Sequence, residues 1–359
     1  MKIRISSASL ANAMQAVSGC VSGRAATAMQ GGVLISASDG EVTFRTTDMF
    51  TSVKATVQAY VAEQGETVVS AKMLHNISRS LPDADVELST LDDGAQLKCL
   101  KSRWKLRTLN PRDFPMWEDM SPDHSVTVNR KTLQELVDRV CRAVAKDNTK
   151  PVLKSIHTVV GGGRIVLIAT DALRVCTVGA PAEGDEFVAN IPSSALKGAM
   201  AAKSSAETVT IACSDTQACI VDGAFTYVTR LTEGNYPNVD MLMPKICKTT
   251  VTLDPDEFAN ALKRAGVVAS INPAVILDIA VDTMTIRAVS NDQGESTETI
   301  PIEMEGDPLT IGFNHHYILD CIEYMDGRAV IKLIDRTNPA VFHDYGDIDM
   351  TYLLLPVKV

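Results

Sequence analysis

VTLDPDEFANALKRAGVVA, residues 251–269, is the stretch on which the fold turns. It opens as a short alternating strand and continues with the period of an amphipathic helix. Asp254 stands where a helix N-cap is needed, Pro255 suits the first helical position, and Glu257 can complete a capping box. The same strand-then-helix phrase occurs twice more, as IRISSASLANAMQAVSGCV (3–21) and VTVNRKTLQELVDRVCRAVA (126–145), with Ser7 and Asn129 in the cap slot. A second helix recurs in AKMLHNISRSL (71–81), SSALKGAMAAK (193–203) and NHHYILDCIEYM (314–325). Leu74, Leu196 and Tyr317 follow one another at 122 and 121 residues, and Ile5, Val128 and Leu253 at 123 and 125. Two registers that agree this well imply three copies of one unit, although no residue-identical motif links them. Repeated domains build symmetric surfaces, whereas a single active site needs no repetition.

The rest of the chain fits that organisation. At 359 residues and 45% hydrophobic content it can hold two or three domains with separate cores. Alternation marks half-buried antiparallel strands at Val42, Phe44 and Thr46, at Val209, Ile211 and Cys213, and at Met284, Ile286 and Ala288. Asp39-Gly40 and Gly161-Gly162-Gly163 read as hairpin turns. Each copy then reads as strand, helix and three strands, twice over, giving an α+β fold with two helices on antiparallel sheet. Polar and proline residues at Ser121-Pro122-Asp123 and Met243-Pro244-Lys245 set the expected domains at 1–121, 122–246 and 247–359. No apolar run approaches the 18 or so residues of a membrane span, and MKIRI begins a strand instead of a signal peptide, so a cytoplasmic protein is expected. The eight cysteines stand singly and read as buried free thiols; Cys213 and Cys219 share a face if one strand spans both.

The net charge of −10 argues at first against nucleic acid, but placement decides. The six expected helices together carry +4 and the remainder −14, so the helices are the less acidic layer. Ordinary solvated helix faces also fit, and Asp320, Glu323 and Asp326 in the last helix favour that view. Enzyme signals are weak. His315, His316 and Asp320 could suggest a metal hydrolase, yet adjacent helical histidines point about 100 degrees apart. The glycine run lacks the Lys-Ser/Thr of a phosphate loop, and Asp344, Asp347 and Asp349 read as turn and edge-strand carboxylates.

Several segments, in order and spacing, carry a family likeness: VSGCVSGRAAT (17–27), DGEVTFRTTD (39–48), TLNPRDFPM (108–116), KDNTKPVL (146–153), ATDALRV (169–175), EGNYPNV (233–239), IGFNHHYILD (311–320) and YLLLPVKV (352–359). Over essentially its whole length the chain resembles the β subunits of bacterial DNA polymerase III, the replication sliding clamps. The resemblance implies a DNA-clamp fold of three similar domains, a head-to-tail homodimer closed into a ring, and no catalysis, cofactor or metal. It implies as partners double-stranded DNA, bound topologically and without sequence preference, the polymerase III alpha subunit, an ATP-driven clamp loader, and repair polymerases and other proteins bearing a clamp-binding peptide. It assigns DNA contacts to Arg24, Lys72, Arg79, Lys146 and Lys150, with Lys197 and Lys203 as additions. It assigns a partner-peptide pocket to Leu153, Thr170, Ala172, Leu173, Arg174, Val175, Pro237, Leu242, Pro339, Leu353, Leu355, Pro356 and Val357.

The chain departs from the family pattern in places. After Arg24 the family has a proline and an apolar residue where this chain has Ala25 and Ala26. Asp-Gly-His-Arg becomes Asp171-Ala172-Leu173-Arg174, and Lys150 replaces an Arg, keeping charge but losing the bidentate fork. The dimer loop is matched only loosely by VVASINP (267–273). These departures motivate an alternative reading, a divergent clamp paralogue with altered partner binding.

Overall fold

The computed structural model describes residues 1–359 except 22–26, 28, 116–119, 148–149, 245, 270–272, 291, 326, 345, 347 and 359. Six α-helices are present among the described residues: α1 Ser7–Ser18, α2 Ala71–Ser80, α3 Arg130–Val140, α4 Ser193–Ala201, α5 Pro255–Gly266 and α6 His315–Ile322. Their order with the strands repeats three times, as expected, with one addition. A short strand, Tyr60–Glu63, Glu183–Gly184 or Glu303–Gly306, pairs back onto the first strand of its own copy, through Arg4↔Tyr60, Val126↔Gly184 and Thr249↔Gly306. These strands are too short for alternation to register. A glycine marks each: Gly65, Gly184 and Gly306 all have positive φ, at 145°, 154° and 104°. A Cβ on Gly184 or Gly306 would collide with the carbonyl oxygen of Ser125 or Lys248.

The chain forms two compact units, one of Met1–Leu133, Glu183–Phe187 and Ile191–Leu231, the other of Gln134–Ala182, Val188–Asn190 and Thr232–Val359. The first unit contains a five-stranded and a ten-stranded antiparallel sheet; in the larger, Thr51–Gln58 of the first copy pairs with Phe225–Arg230 of the second. The second unit contains a nine-stranded and a four-stranded sheet; in the larger, Arg174–Pro181 of the second copy pairs with Asp349–Leu354 of the third.

Local chemistry explains the helices. α1 buries Leu10, Ala13, Met14 and Val17, spaced by three and four, and α5 buries Phe258, Ala261, Leu262 and Ala265 in the same way. Each large side chain so buried contributes about 1.5–3 kcal/mol. Asp254 accepts from the Glu257 amide at 2.9 Å, and Asn129 from those of Lys131 and Thr132. In the first copy the cap is Ser6, one residue before the expected Ser7: Ser6 is still extended and accepts from Ser9 N at 3.0 Å, while Ser7 is already helical.

Three helices stop short of expectation. α3 gives way at Cys141–Ala143 to a 3-10 turn, whose Arg142 carbonyl is taken by Arg174 Nη2. α4 ends at Ala201 and α6 at Ile322. Gly162 and Gly163, with φ of 59° and 73°, close a two-residue hairpin between the paired Gly161 and Arg164. Cys213 and Cys219 lie on two strands of a hairpin, not on one, because the chain turns after Cys213. All eight cysteines are free; five are buried and Cys247 is exposed.

Candidate functional site

Four neighbouring strands of the second unit build a groove floor. Their register sets Thr170, Val175, Leu353 and Val341 side by side, and then Ile168, Thr177, Thr351 and His343 in the next row on that face. Val175, Leu353, Val341 and Val239 form a buried apolar cluster, against which Ile168 and Met243 pack. Val239 and Met243 belong to a strap between the second and third copies, with a 3-10 turn at Asp240–Leu242. Alongside the strap lies a cavity of about 350 Å³ lined by Met243, Ile246, Val341, His343 and Thr351 among others.

The lip of the groove is a tight turn. Thr170 Oγ1 accepts from Ala172 N and donates to Arg174 O, while Asp171 Oδ1 accepts from Leu173 N and Arg174 N at 3.0 and 3.1 Å. This places Ala172 at φ 73° and turns Leu173 outward, 51% exposed. Leu355 N donates to Leu173 O, so a second exposed leucine stands beside it, and Leu242 on the strap is also exposed. Thr170 N donates to the Tyr236 hydroxyl at 3.0 Å, and the Tyr236 ring stacks on His157 at 4.8 Å, which in turn contacts Asn190 Oδ1. Burial raises the pKa of the Tyr236 phenol. Pro237 follows directly, exposed at the start of the strap.

The structure thus brings together Thr170, Leu173, Val175, Leu353 and Leu355, with Ala172 at the turn. Leu153 is buried in the 3-10 turn Pro151–Lys154, and Pro339 is half-buried just before Ala340–Asp344. Val357 N bonds to Gly312 O at 2.9 Å, which, with the half-buried Pro356 before it, leads the chain end away from the row. Tyr236 and Val239 lie in the segment EGNYPNV but were not assigned to the pocket, and Met243 and Val341 had no motif to signal them.

Arg174 occupies the opposite face, because strand neighbours alternate. Its side chain is 2% exposed and donates to Asp171 Oδ2 at 2.9 Å, Asp320 Oδ2 at 2.6 Å, the Tyr352 hydroxyl at 3.1 Å and Arg142 O. It also stacks over Tyr317, 4.0 Å from the ring centroid. Burial opposes its charge, but Tyr352 and the two carboxylates more than compensate and raise its pKa. This arrangement accounts for the acidic last helix: Asp320 meets Arg174 and Arg142, and Glu323 meets Lys263 at 2.8 Å. Asp326 lies outside the described residues. Asp344, expected at an edge, is 1% exposed and pairs with Arg139 at 3.1 Å. Asp349 is exposed, and Asp347 lies outside the described residues.

The cations implied by resemblance stand apart from such pairs. α2 buries Ala71, Leu74, Ile77 and Ser78, which leaves Lys72 and Arg79 on its outer stripe. Lys197 is on the outer face of α4, and Lys203 just past it, where its carbonyl accepts from Asn12 of α1 at 2.7 Å. Lys146 and Lys150 precede the 3-10 turn Pro151–Lys154. All six are exposed, and none has an ion-pair partner among the described residues. Arg24, Lys245 and the core of the expected dimer loop, 270–272, lie outside the described residues.

Among the described residues no group of three or more His, Cys, Asp or Glu side chains converges to hold a metal. His315 and His316 do not splay as expected; their rings tilt together with centroids 4.0 Å apart, because His315 is buried with Nδ1 against Pro273 O at 2.8 Å.

Comparison with known proteins adds the family. Models of the DNA polymerase III beta subunit match in sequence, the N-terminal domain at 1–118, the central domain at 127–238 and the C-terminal domain at 240–358. The beta sliding clamp of Streptomyces coelicolor is 28% identical over 377 residues, with all of both chains covered. The DNA polymerase III beta subunit of Thermotoga maritima superposes with a TM-score of 0.94 at 22% identity, covering 100% of this chain and 99% of that one. The Caulobacter crescentus beta sliding clamp, with polyethylene glycol bound to its putative beta-motif tethering region, gives 0.92 at 26% identity and the same coverage.

Proposed function

The chain belongs to the DNA polymerase III beta subunit family, the bacterial sliding clamps, and from that premise we propose that it acts as a head-to-tail homodimer around duplex DNA. One observation carries this reading. Within the chain, the third strand after the first helix of each copy pairs with the last strand of the following copy: Thr51–Gln58 with Phe225–Arg230, and Arg174–Pro181 with Asp349–Leu354. By the same rule Gly294–Pro301 needs the third strand after the second helix of a first copy, which is Ser102–Leu106. Both strands are unpaired sheet edges, one on four strands and the other on five. Joining them between protomers gives a nine-stranded sheet like that of the second unit and removes two exposed edges. Charge supports the match, since Lys101, Arg103 and Arg107 flank one edge strand and Glu295 lies on the other, all exposed.

The domains are taken to meet near residues 121 and 246, and the helices to line the hole. There Lys72, Arg79, Lys146, Lys150, Lys197 and Lys203, without ion-pair partners among the described residues and on long stems, offer charge to phosphates without reading bases. Weak contacts of this kind permit sliding, and closure prevents escape. An ATPase partner must open the ring. The apolar groove beneath the 237–243 strap takes short extended peptides of the polymerase, the loader and repair proteins, with Val175 and Leu353 as floor and Leu173 and Leu355 as lip. A peptide held by a few such anchors binds near 1 μM, about −8 kcal/mol, which allows exchange.

The test is to load the protein on a nicked circle and then linearise it. Loss from the linear product is expected, and retention there rules out topological binding. Arg103→Glu is expected to convert the dimer to monomer in sedimentation and to abolish loading. An unchanged dimer would overturn the edge-to-edge join.

A further inference from the structure

The loop at the junction of the first and second copies repeats the lip of the groove bond for bond. Met49 N donates to Thr47 Oγ1 at 3.0 Å, and Phe50 N and Thr51 N to Asp48 Oδ1 at 2.9 and 2.7 Å, as Ala172, Leu173 and Arg174 do to Thr170 and Asp171. Met49 has φ 76° where Ala172 has 73°. Arg230 N donates to Phe50 O at 3.1 Å where Leu355 N donates to Leu173 O at 3.0 Å. The root of the following strap is anchored at the matching place: Phe114 packs on Leu34 and Val68, as Tyr236 stacks on His157, which contacts Asn190.

What this second turn presents differs in chemistry. Met49 and Phe50 are 51% and 67% exposed, a costly display for two large apolar side chains on adjacent positions. The neighbour is a cation in place of Leu355: the Arg230 guanidinium lies over the Phe50 ring at 5.7 Å, exposed and without an ion-pair partner among the described residues. A guanidinium held against an aromatic face keeps its outer N–H groups aimed at solvent and suits a carboxylate that arrives beside an apolar side chain.

We infer that this turn is a second docking surface for an extended acidic peptide, whose apolar anchor lies on Met49 and Phe50 and whose adjacent carboxylate pairs with Arg230. The inference rests on the peptide-binding reading of the groove at Leu173 and Leu355. It adds a second, charge-selective seat on each protomer, so that one partner could hold two points of the clamp or two partners could share it.

The experiment is calorimetric titration of the full-length protein with an acetylated nonapeptide carrying a Leu-Phe pair next to an Asp, and with its Asn counterpart. Two sites per chain are expected for the Asp peptide. Leu355→Asp should remove one and Phe50→Asp the other, while Arg230→Gln weakens the second about tenfold for the Asp peptide and leaves the Asn peptide unchanged. One site per chain, lost in Leu355→Asp and intact in Phe50→Asp, overturns this inference and leaves the groove reading standing. No binding at all overturns both. Sedimentation showing assembly beyond the dimer that Phe50→Asp abolishes would assign the surface to a further copy of this chain and overturn the peptide.

Discussion

Replacing Arg174 should destabilise the second unit without emptying the groove. Arg174→Met removes a guanidinium that is 2% exposed and leaves four acceptors without their donor: Asp171, Asp320, the Tyr352 hydroxyl and the Arg142 carbonyl. Removing one partner of a buried ion pair costs about 3–5 kcal/mol. The lower end applies here, because Asp320 is 27% exposed in its side chain and keeps Arg142 at 3.6 Å. About 3 kcal/mol in a unit of this size lowers the melting temperature by roughly 6–12 °C. The assay is scanning calorimetry of the full chain, with hydrogen exchange of Asp349–Leu354 to report which unit opens. Arg174→Lys keeps the charge but not the fork, and should fall between. Asp320→Asn in the Arg174→Met background should recover part of the loss, since it removes a carboxylate that has lost its shortest cationic contact. Peptide affinity measured well below the melting temperature should stay within about threefold, as the guanidinium lies on the helix side of the sheet. A melting temperature within 1 °C or so of the parent, or a tenfold loss of peptide affinity without destabilisation, refutes this account.

Three further outcomes follow from the same geometry. Changing Lys72, Arg79, Lys197 and Lys203 together to Ala should flatten the salt dependence of DNA binding, by up to about 3.6 in the slope of log K against log salt, and a slope unchanged within error removes them from the phosphate path. His315 is buried and its pKa is lowered, so the unfolded chain binds its proton more readily than the folded one; stability is full above the ordinary imidazole range and falls as pH drops below it. Calorimetry from pH 7.5 to 5 should show that decline, reduced in His315→Gln, and a melting temperature rising with acid would contradict the sign. Of eight free thiols, titration with a disulfide reagent should find one fast site, Cys247, because burial pushes Cys20, Cys176 and Cys213 up to about 12; several fast sites, or a fast site that persists in Cys247→Ser, would mean the cysteines are placed otherwise.

The parts of the fold that were legible are those where one local rule suffices. Asp254 and Asn129 cap because a short carboxylate or amide beside an apolar period can satisfy orphan amides, whatever surrounds it. Ser6 was misplaced by one residue because two serines in a row satisfy the same rule and only the backbone separates them. The short strands at Tyr60–Glu63, Glu183–Gly184 and Glu303–Gly306 left no periodic trace, and their signal was instead a glycine that only a strained turn requires. At the candidate site, likeness to a family grouped Arg174 with Val175, yet a strand sends consecutive side chains to opposite faces, so one residue of the pair had to leave the groove. The sequence marks Met243 only as a junction and Val239 only as part of a family segment, since a strap that packs through isolated apolar residues has no period to read.

The repeat is most informative where its copies diverge under a shared backbone. The turn at Thr47-Asp48 and the turn at Thr170-Asp171 keep the same hydrogen bonds, so the fold needs the Thr and the Asp at both places. Nothing in that backbone dictates the side chains that follow. One copy sets Leu173 beside Leu355, and the other sets Phe50 beside Arg230. Arg174 shows the reverse case: Thr51 stands in the equivalent slot of the first copy and its hydroxyl meets that of Thr229 at 3.0 Å, whereas Arg174 ties strand, α6 and the turn after α3 together. Asp320 of α6 is therefore engaged by the buried Arg174 and by Arg142 just beyond α3, while Arg139 of α3 is taken up by the buried Asp344. Counting charge by helix thus overstates what the third copy withholds from DNA and understates the contrast with α2 and α4, whose cations have no such duty.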